Sequence, residues 1–213
     1  CERTITISFE LSDPCGNVNP ELFTCIYIIR DDVAPKFTVP GPVTISCEQD
    51  VDDLSITGDV TDESDDCQDN LEATYSDDDS GLTGCNGTGT IIRTWTLDDG
   101  CGNSTAQTQT IIVIDITAPV ITCPKDTVIN CEVNPIPANT GMATATDNCD
   151  QTVTPTHTDV VLPGNCPDRR TITRTWTVAD DCGNSTLCVQ VIIVQDTTKP
   201  VIVCPMDVTV ECD

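Results

Sequence analysis

Aromatic residues make up only 3% of this 213-residue chain, and cations are nearly as scarce. Nine Lys and Arg stand against 35 Asp and Glu, with a single histidine, for a formal net charge of −26. The missing basic surface excludes nucleic acid, whose phosphates need one, and an anionic membrane surface. The acidic field suits a soluble extracellular polymer or a protein that gathers cations. No apolar run reaches the roughly 18 residues a membrane span needs. No leader is visible, but the sequence opens at Cys1 inside a module, so that absence carries no weight. Helical periodicity is also missing from every segment.

Cysteine, in contrast, is abundant, at 15. Disulfides can replace the core that so few aromatics would leave thin, which places the chain in an oxidising compartment, secreted or on a cell surface. Zinc would need close CxxC pairs or nearby histidines. Neither is present, since Cys182 and Cys188 are too far apart and His157 stands alone.

One stretch repeats. RTWTLDDGCGNST at 93–105 returns as RTWTVADDCGNST at 174–186, with Trp95 and Trp176, Cys101 and Cys182, and Asn103 and Asn184 each 81 residues apart. A worn copy, ISFELSDPCGNVN, lies at 7–19. A constant period of this size means a tandem module. The boundaries read as 1–32 for the back end of a module, 33–115 and 116–196 for two full modules, and 197–213 for the front of a further one. A window cut from a longer array is the expectation. Each full module opens with an extended segment and passes an acid-rich turn. It then runs through a Thr-rich strand holding the Trp, the CGN turn and a β-branched strand. Short strands bounded by Gly, Pro, Asn and Asp predict an all-β, disulfide-rich fold of tandem immunoglobulin-like β-sandwich modules.

Aligning the repeats aligns the cysteines. The second module has Cys123, Cys131, Cys149, Cys166, Cys182 and Cys188; the first has Cys47, Cys67, Cys85 and Cys101, with Val39 and Gln107 at the places of Cys123 and Cys188. Joint loss pairs Cys123 with Cys188. Placement at the two ends of a sandwich pairs Cys149 with Cys182, Cys131 with Cys166, Cys67 with Cys101 and Cys47 with Cys85. The alternative of Cys67–Cys85 with Cys47–Cys101 stays open, because sequence alone does not fix connectivity. Cys1, Cys15, Cys25, Cys204 and Cys212 are expected to find partners outside the window.

Acids gather at recurring places. The linkers carry Asp31, Asp32, Asp115 and Asp196, the mid-module turns Asp65, Asp66 and Asp147, and the CGN hairpins Asp98, Asp99, Asp180 and Asp181. The topology brings these sets to module junctions. Converging carboxylates repel unless a cation sits among them, and Ca²⁺ accepts six to eight oxygens in loose geometry. The expected metal ligands are Asp31, Asp32, Asp65, Asp98 and Asp99 at the first junction, and Asp115, Asp147, Asp180 and Asp181 at the second. Against this stands the plain role of Asp as a turn former. The run Asp77-Asp78-Asp79-Ser80-Gly81 lacks the alternation of an EF-hand loop and reads as a solvated loop. Asn86, Asn103 and Asn184 open N-x-S/T sequons, open to glycosylation; in the CGN turns Asn equally serves the turn itself. Trp95 and Trp176 read as core anchors. Arg93 and Arg174, on the same strand face, are expected to lie along the core with their heads paired to acids. No catalytic set stands out.

The pieces VIDITAPVITCPKDTV, VQDTTKPVIVCPMDVTV, TATDNCD and TVADDCGNSTLC resemble the hyaline-repeat (HYR) family. They also resemble its bacterial relatives, the immunoglobulin-like tandem repeats of large secreted adhesins of the Bacteroidetes type. The shared D-x-T-x-P-x-I-x-C-P opening, A-x-D loop and D-x-x-G-N hairpin cover nearly the whole chain. The resemblance implies an extracellular adhesive or structural role without catalysis, with cysteines matching Cys123 and Cys188. The expected function is a rigid stalk or filament array whose partners are neighbouring modules and like chains. The alternatives are an adhesive module for carbohydrate or protein and the accessory stalk of a secreted enzyme.

Overall fold

The computed structural model describes residues 1–165 and 169–211. It divides into two compact units, Cys1–Asp115 and Ile116–Asp213. The first unit starts with an antiparallel hairpin of β1 (Glu2–Phe9) and β2 (Phe23–Arg30), in register from Glu2↔Arg30 to Phe9↔Phe23. A sandwich follows. Its small sheet pairs β3 (Lys36–Thr38) with β5 (Thr61–Ser64). Its large sheet holds β4 (Val43–Ser46), β6 (Thr74–Gly81), β7 (Gly89–Asp98) and β8 (Ser104–Ile114) in the order β4-β8-β7-β6.

The second unit repeats this plan. Strand β9 (Val120–Thr122) pairs with β11 (Thr144–Thr146). The large sheet runs β10-β14-β13-β12, made of β10 (Thr127–Asn130), β12 (Thr156–Pro163), β13 (Arg170–Ala179) and β14 (Ser185–Gln195). In both units a short strand, β4 or β10, adds parallel to the last one: Val43–Ser46 lie opposite Ile111–Ile114, and Thr127–Asn130 opposite Ile192–Gln195. Residues 197–211 carry no strand or helix.

Alternation explains the core. On β7 the residues Ile91, Arg93, Trp95 and Leu97 point inward and their neighbours outward. Trp95 and Trp176 are 1% and 2% exposed, the core anchors of their units. The arginines go deeper than a stem along the core edge. Arg93 is fully buried, donating from Nε and Nη2 to both Asp77 oxygens at 2.8 Å. Its Nη1 and Nη2 also reach Thr57 Oγ1 at 3.1 Å and the Val51 carbonyl at 2.9 Å. Arg174 repeats the fork on Asp159, with further bonds to Thr140 Oγ1 and the Pro135 carbonyl.

Asp77 corrects the solvated-loop reading of 77–81. That run is the edge strand β6, held because Asp77 faces Arg93 across the sheet. Thr57 and Thr140 end two single-turn helices, α1 (Leu54–Thr57) and α2 (Pro137–Thr140). Four residues are too few to leave a helical period in the sequence. The side-chain amides of Gln109 and Gln190 complete the network. Each accepts from the Trp indole N–H, at 3.2 and 3.4 Å, and donates to the carbonyl of Thr57 or Thr140.

Candidate functional site

The open end of the β1–β2 hairpin lies against the CGN turn of the sandwich that follows it in the first unit. Pairing of Glu2 with Arg30 sets Cys1 beside Asp31, whose N–H donates to the Cys1 carbonyl at 3.2 Å. Asn103, in the CGN turn between β7 and β8, donates from Nδ2 to the Asp31 carbonyl at 3.4 Å. This meeting produces a Cys1–Cys101 disulfide. It overturns the expected Cys67–Cys101 bond and the expectation that Cys1 finds its partner elsewhere. Cys101 reaches the preceding strand end rather than the turn of its own module, and Cys67 stays a thiol.

Asp31 is the centre of the cluster. It is 9% exposed, and its Oδ2 is buried with no hydrogen-bond partner. One carboxylate oxygen of Asp31 lies within 4.8 Å of an Asp65 oxygen and of Cys67 Sγ, and Asp31, Asp99 and Cys101 Sγ form a second such group. Asp65 sits in the turn after β5. Its Oδ1 accepts from the N–H groups of Cys67 and Gln68, at 2.9 and 3.1 Å, while its Oδ2 is buried and unpartnered. Asp99, 2% exposed, is held by its own turn: Oδ1 accepts from the N–H groups of Cys101 and Asn103, and Oδ2 from Asn103 Nδ2 at 2.6 Å. Burial pushes the Asp99 carboxyl up, but the Asn103 side chain and the turn N–H groups outweigh it and hold it below the ordinary carboxylate range. Burial, then the charges of Asp31, Asp65 and Asp66, push the Cys67 thiol up.

Asp32 and Asp98 do not join this cluster. Both are exposed, and Asp98 caps its own turn through Gly100 N–H. The turn register explains why. Asp99 and Asp180 are the structural equivalents, each accepting from the Asn four residues on, while Asp98 and Asp181 fall on opposite sides of them and face solvent. In the second unit Asp147 and Asp180 oxygens lie within 4.8 Å of each other. Asp147 repeats Asp65, accepting from Cys149 and Asp150 N–H through Oδ1 and keeping a buried, unpartnered Oδ2. Asp115, 9% exposed, ends β8 as Asp31 ends β2. Asp150, 4% exposed, is a buried acid that turn spacing alone did not single out; its Oδ1 accepts from Thr152.

Cys123 and Cys188 are joined, across 65 residues of chain. Cys47, Cys85, Cys149 and Cys182 are also in disulfides. Cys131 is a free thiol, so its expected bond to Cys166 is not made; Cys166 itself lies outside the described residues. The sequons divide. Asn103 and Asn184 turn their Nδ2 groups inward to Asp99 and Asp180, whereas Asn86 is exposed. Positive φ in the CGN turns falls on Gly102 (+100°) and Gly183 (+91°), not on Asn, so the Asn contributes its side chain rather than its backbone freedom.

An oxygen-rich, partly orphaned carboxylate cluster thus lies at the end of β2, beside a disulfide. Among the described residues no helix is long and apolar enough to cross a membrane. No family model matches the chain. Hyalin of Strongylocentrotus purpuratus is 37% identical over 125 residues, which are 55% of this chain and 10% of hyalin. The chain therefore spans about a tenth of that relative. Among solved structures it is similar to human protocadherin-24 EC1-2, with 14% identity, 78% of this chain and 100% of that one covered, and TM-score 0.35. Similarity to the human desmocollin-1 ectodomain is 11% identity over 91% of this chain and 48% of that one, with TM-score 0.32. For Drosophila N-cadherin EC1-4 the values are 10%, 91%, 58% and 0.28.

Proposed function

We propose that this chain is part of an extracellular structural repeat array, a rigid stalk or filament of a surface adhesin of the hyaline-repeat type. Disulfides and junction Ca²⁺ stiffen it. Its module boundaries fall at 32/33, 115/116 and 196/197, and its partners are neighbouring modules and like chains. The observation that carries the reading is Asp31. A buried carboxylate with an oxygen that has no donor, beside a second such oxygen on Asp65, is costly unless a cation compensates it. The donors fit Ca²⁺, which takes carboxylate and carbonyl oxygens and completes its shell with water. Cys101 is spent in the disulfide, which leaves the hard oxygens of Asp31, Asp65 and Asp99 as ligands. In the second unit Asp147 and Asp180 supply the same pair of turns. The role of these residues is mechanical: bound metal removes freedom at the strand end, and the sandwich carries load between its ends.

The test is calorimetry with and without Ca²⁺ after chelation. Added Ca²⁺ should raise the melting temperature, whereas Mg²⁺, which demands a tighter octahedral shell, should do so weakly. Identical melting with EDTA and with millimolar Ca²⁺ would remove the calcium proposal.

A further inference from the structure

We propose that the outer face of the β10-β14-β13-β12 sheet is a lateral contact between like chains, packing on the same face of a second copy of this chain. The inference rests on the array reading and names the surface through which neighbouring arrays meet.

Strand alternation leaves this face to solvent. On β13 and β14 it buries Ile172, Trp176, Ile192 and Val194 and turns the residues between them outward. Register then sets the outward residues side by side. Val160 on β12 lies opposite Thr173, and Thr173 lies opposite Val191 on β14. Ile193, two residues on, lies opposite Val128 on β10. Aliphatic side chains thus flank a row of threonines on β13. Leu187 is 61% exposed, Val160 60%, Val128 54% and Val189 49%.

The fold does not require them. The first module builds the same sheet, and the 81-residue step from Trp95 to Trp176 aligns the two. Leu187, Val189 and Val191 stand where β8 carries Ala106, Thr108 and Thr110. Val160 stands where β6 carries Asp78, and Val128 where β4 carries Thr44. Threonine suits a strand as well as valine does, so strand propensity leaves the exchange unexplained. Small or polar residues of one module have become branched aliphatics in the other, on a face that belongs to neither core.

Charge selects the occupant. The chain carries a formal net charge of −26, yet no outward residue of β10, β12, β13 or β14 is ionisable. Asp126 stays at the sheet edge, accepting from the Val191 N–H at 2.7 Å. Two copies of so acidic a chain repel wherever their acids face each other, and here they can approach without that cost. A basic partner would be drawn to the acids instead of to an uncharged face.

The geometry suits self-pairing. Sheets pack face to face through interdigitating side chains, about 10 Å apart, and a two-fold pair needs only one self-complementary patch. A face four strands wide and about eight residues long covers about 500 Å². Two copies therefore bury about 1,000 Å², the lower bound for a specific interface. Such a contact is weak between single modules and strengthens where arrays present it repeatedly.

The test is sedimentation equilibrium of the whole chain, with its free thiols alkylated so that disulfide exchange cannot imitate association. A reversible monomer–dimer equilibrium is expected, micromolar or weaker. A triple variant with Leu187→Ala, Val189→Thr and Val191→Thr takes the first module's residues at those places. It should weaken the dimer by about tenfold or more, as loss of central interface side chains does, with circular dichroism unchanged. Val160→Asp, on a different strand, should act in the same direction. Ile92→Ser with Ile112→Ser, on the corresponding face of the first module, should leave association as it was. The dimer should persist in EDTA and should not weaken at high salt, because the face carries no charge to screen. A monomer at every concentration, a dimer as tight in both variants as in the parent, or one that the first-module control weakens equally would overturn the proposal. A monomeric chain whose melting temperature still rises with Ca²⁺ removes this face alone and leaves the array reading standing.

Discussion

Arg93 grips Asp77 through two hydrogen bonds of 2.8 Å, inside a core where the guanidinium has no solvent exposure. The fork also ties the edge strand β6 to the carboxyl end of α1, because the same guanidinium bonds Thr57 and Val51. The Tyr75 ring lies 3.9 Å from the guanidinium carbon and closes the remaining side. Removing one partner would strand a buried charge. Asp77→Ala should therefore cost about 3 kcal/mol or more in urea denaturation. The exposed neighbour Asp79→Ala should stay within about 0.5 kcal/mol. Loss of amide protection in both β6 and α1 would show that the clamp couples them.

Gln190 makes a comparable demand without charge. It accepts from the Trp176 indole and donates to the Lys125 and Thr140 carbonyls at 3.0 and 2.7 Å. Gln190→Leu should leave buried groups unpaired and cost about 1–3 kcal/mol for a lost buried partner. Gln190→Glu should be worse at neutral pH, because a carboxylate cannot donate to those carbonyls. Hydrogen exchange at 137–141 reports the effect locally.

Acid should weaken the second unit by a definite route. The Arg174 hydrogen bonds hold the Asp159 carboxyl below the ordinary carboxylate range. A carboxyl that is more acidic folded than unfolded contributes stability above its unfolded pKa, about 3.9. That contribution fades as pH falls through the folded value. Stability against urea should therefore drop from about pH 4 downward. Asp159→Asn should flatten that limb while lowering stability at neutral pH. An unchanged acid limb in the variant would assign the drop to other acids.

Metal dependence should follow geometry rather than charge count. Asp31→Asn should abolish the Ca²⁺-induced rise in melting temperature, and Asp65→Asn should reduce it. Asp32→Asn, which removes the same charge one residue away at an exposed place, should leave it intact. Without Ca²⁺, Asp31→Asn should be neutral or stabilising, because it removes a buried carboxylate oxygen that has no donor.

Breaking Cys123–Cys188, which closes 65 residues, should lower stability by up to about 4 kcal/mol if chain entropy dominates. The measurement is denaturation of the double Cys→Ser variant beside the intact chain. A much smaller loss would place the benefit in the unfolded state's residual structure instead.

The 81-residue period, the strand alternation and the Trp-to-CGN spacing were legible in the chain because each reports a local regularity. They sufficed for an all-β tandem fold, for Trp95 and Trp176 in the core, and for Arg93 and Arg174 on the same face. A four-residue helix leaves no period, so α1 and α2 were invisible. The acids were legible as a population but not as a site. Asp31, Asp65 and Asp99 come together, while Asp32 and Asp98, their immediate neighbours, face water.

Sequence by itself thus determined which residues can pair, alternate and turn. Only tertiary structure decided which distant segments meet. Cys101 bonds Cys1, a hundred residues away, because the antiparallel register of one hairpin delivers Cys1 and Asp31 together to the turn between β7 and β8. Disulfides and carboxylate clusters depend on distance through space, and distance in space between remote segments is set by the packing of whole strands rather than by the residues that finally touch.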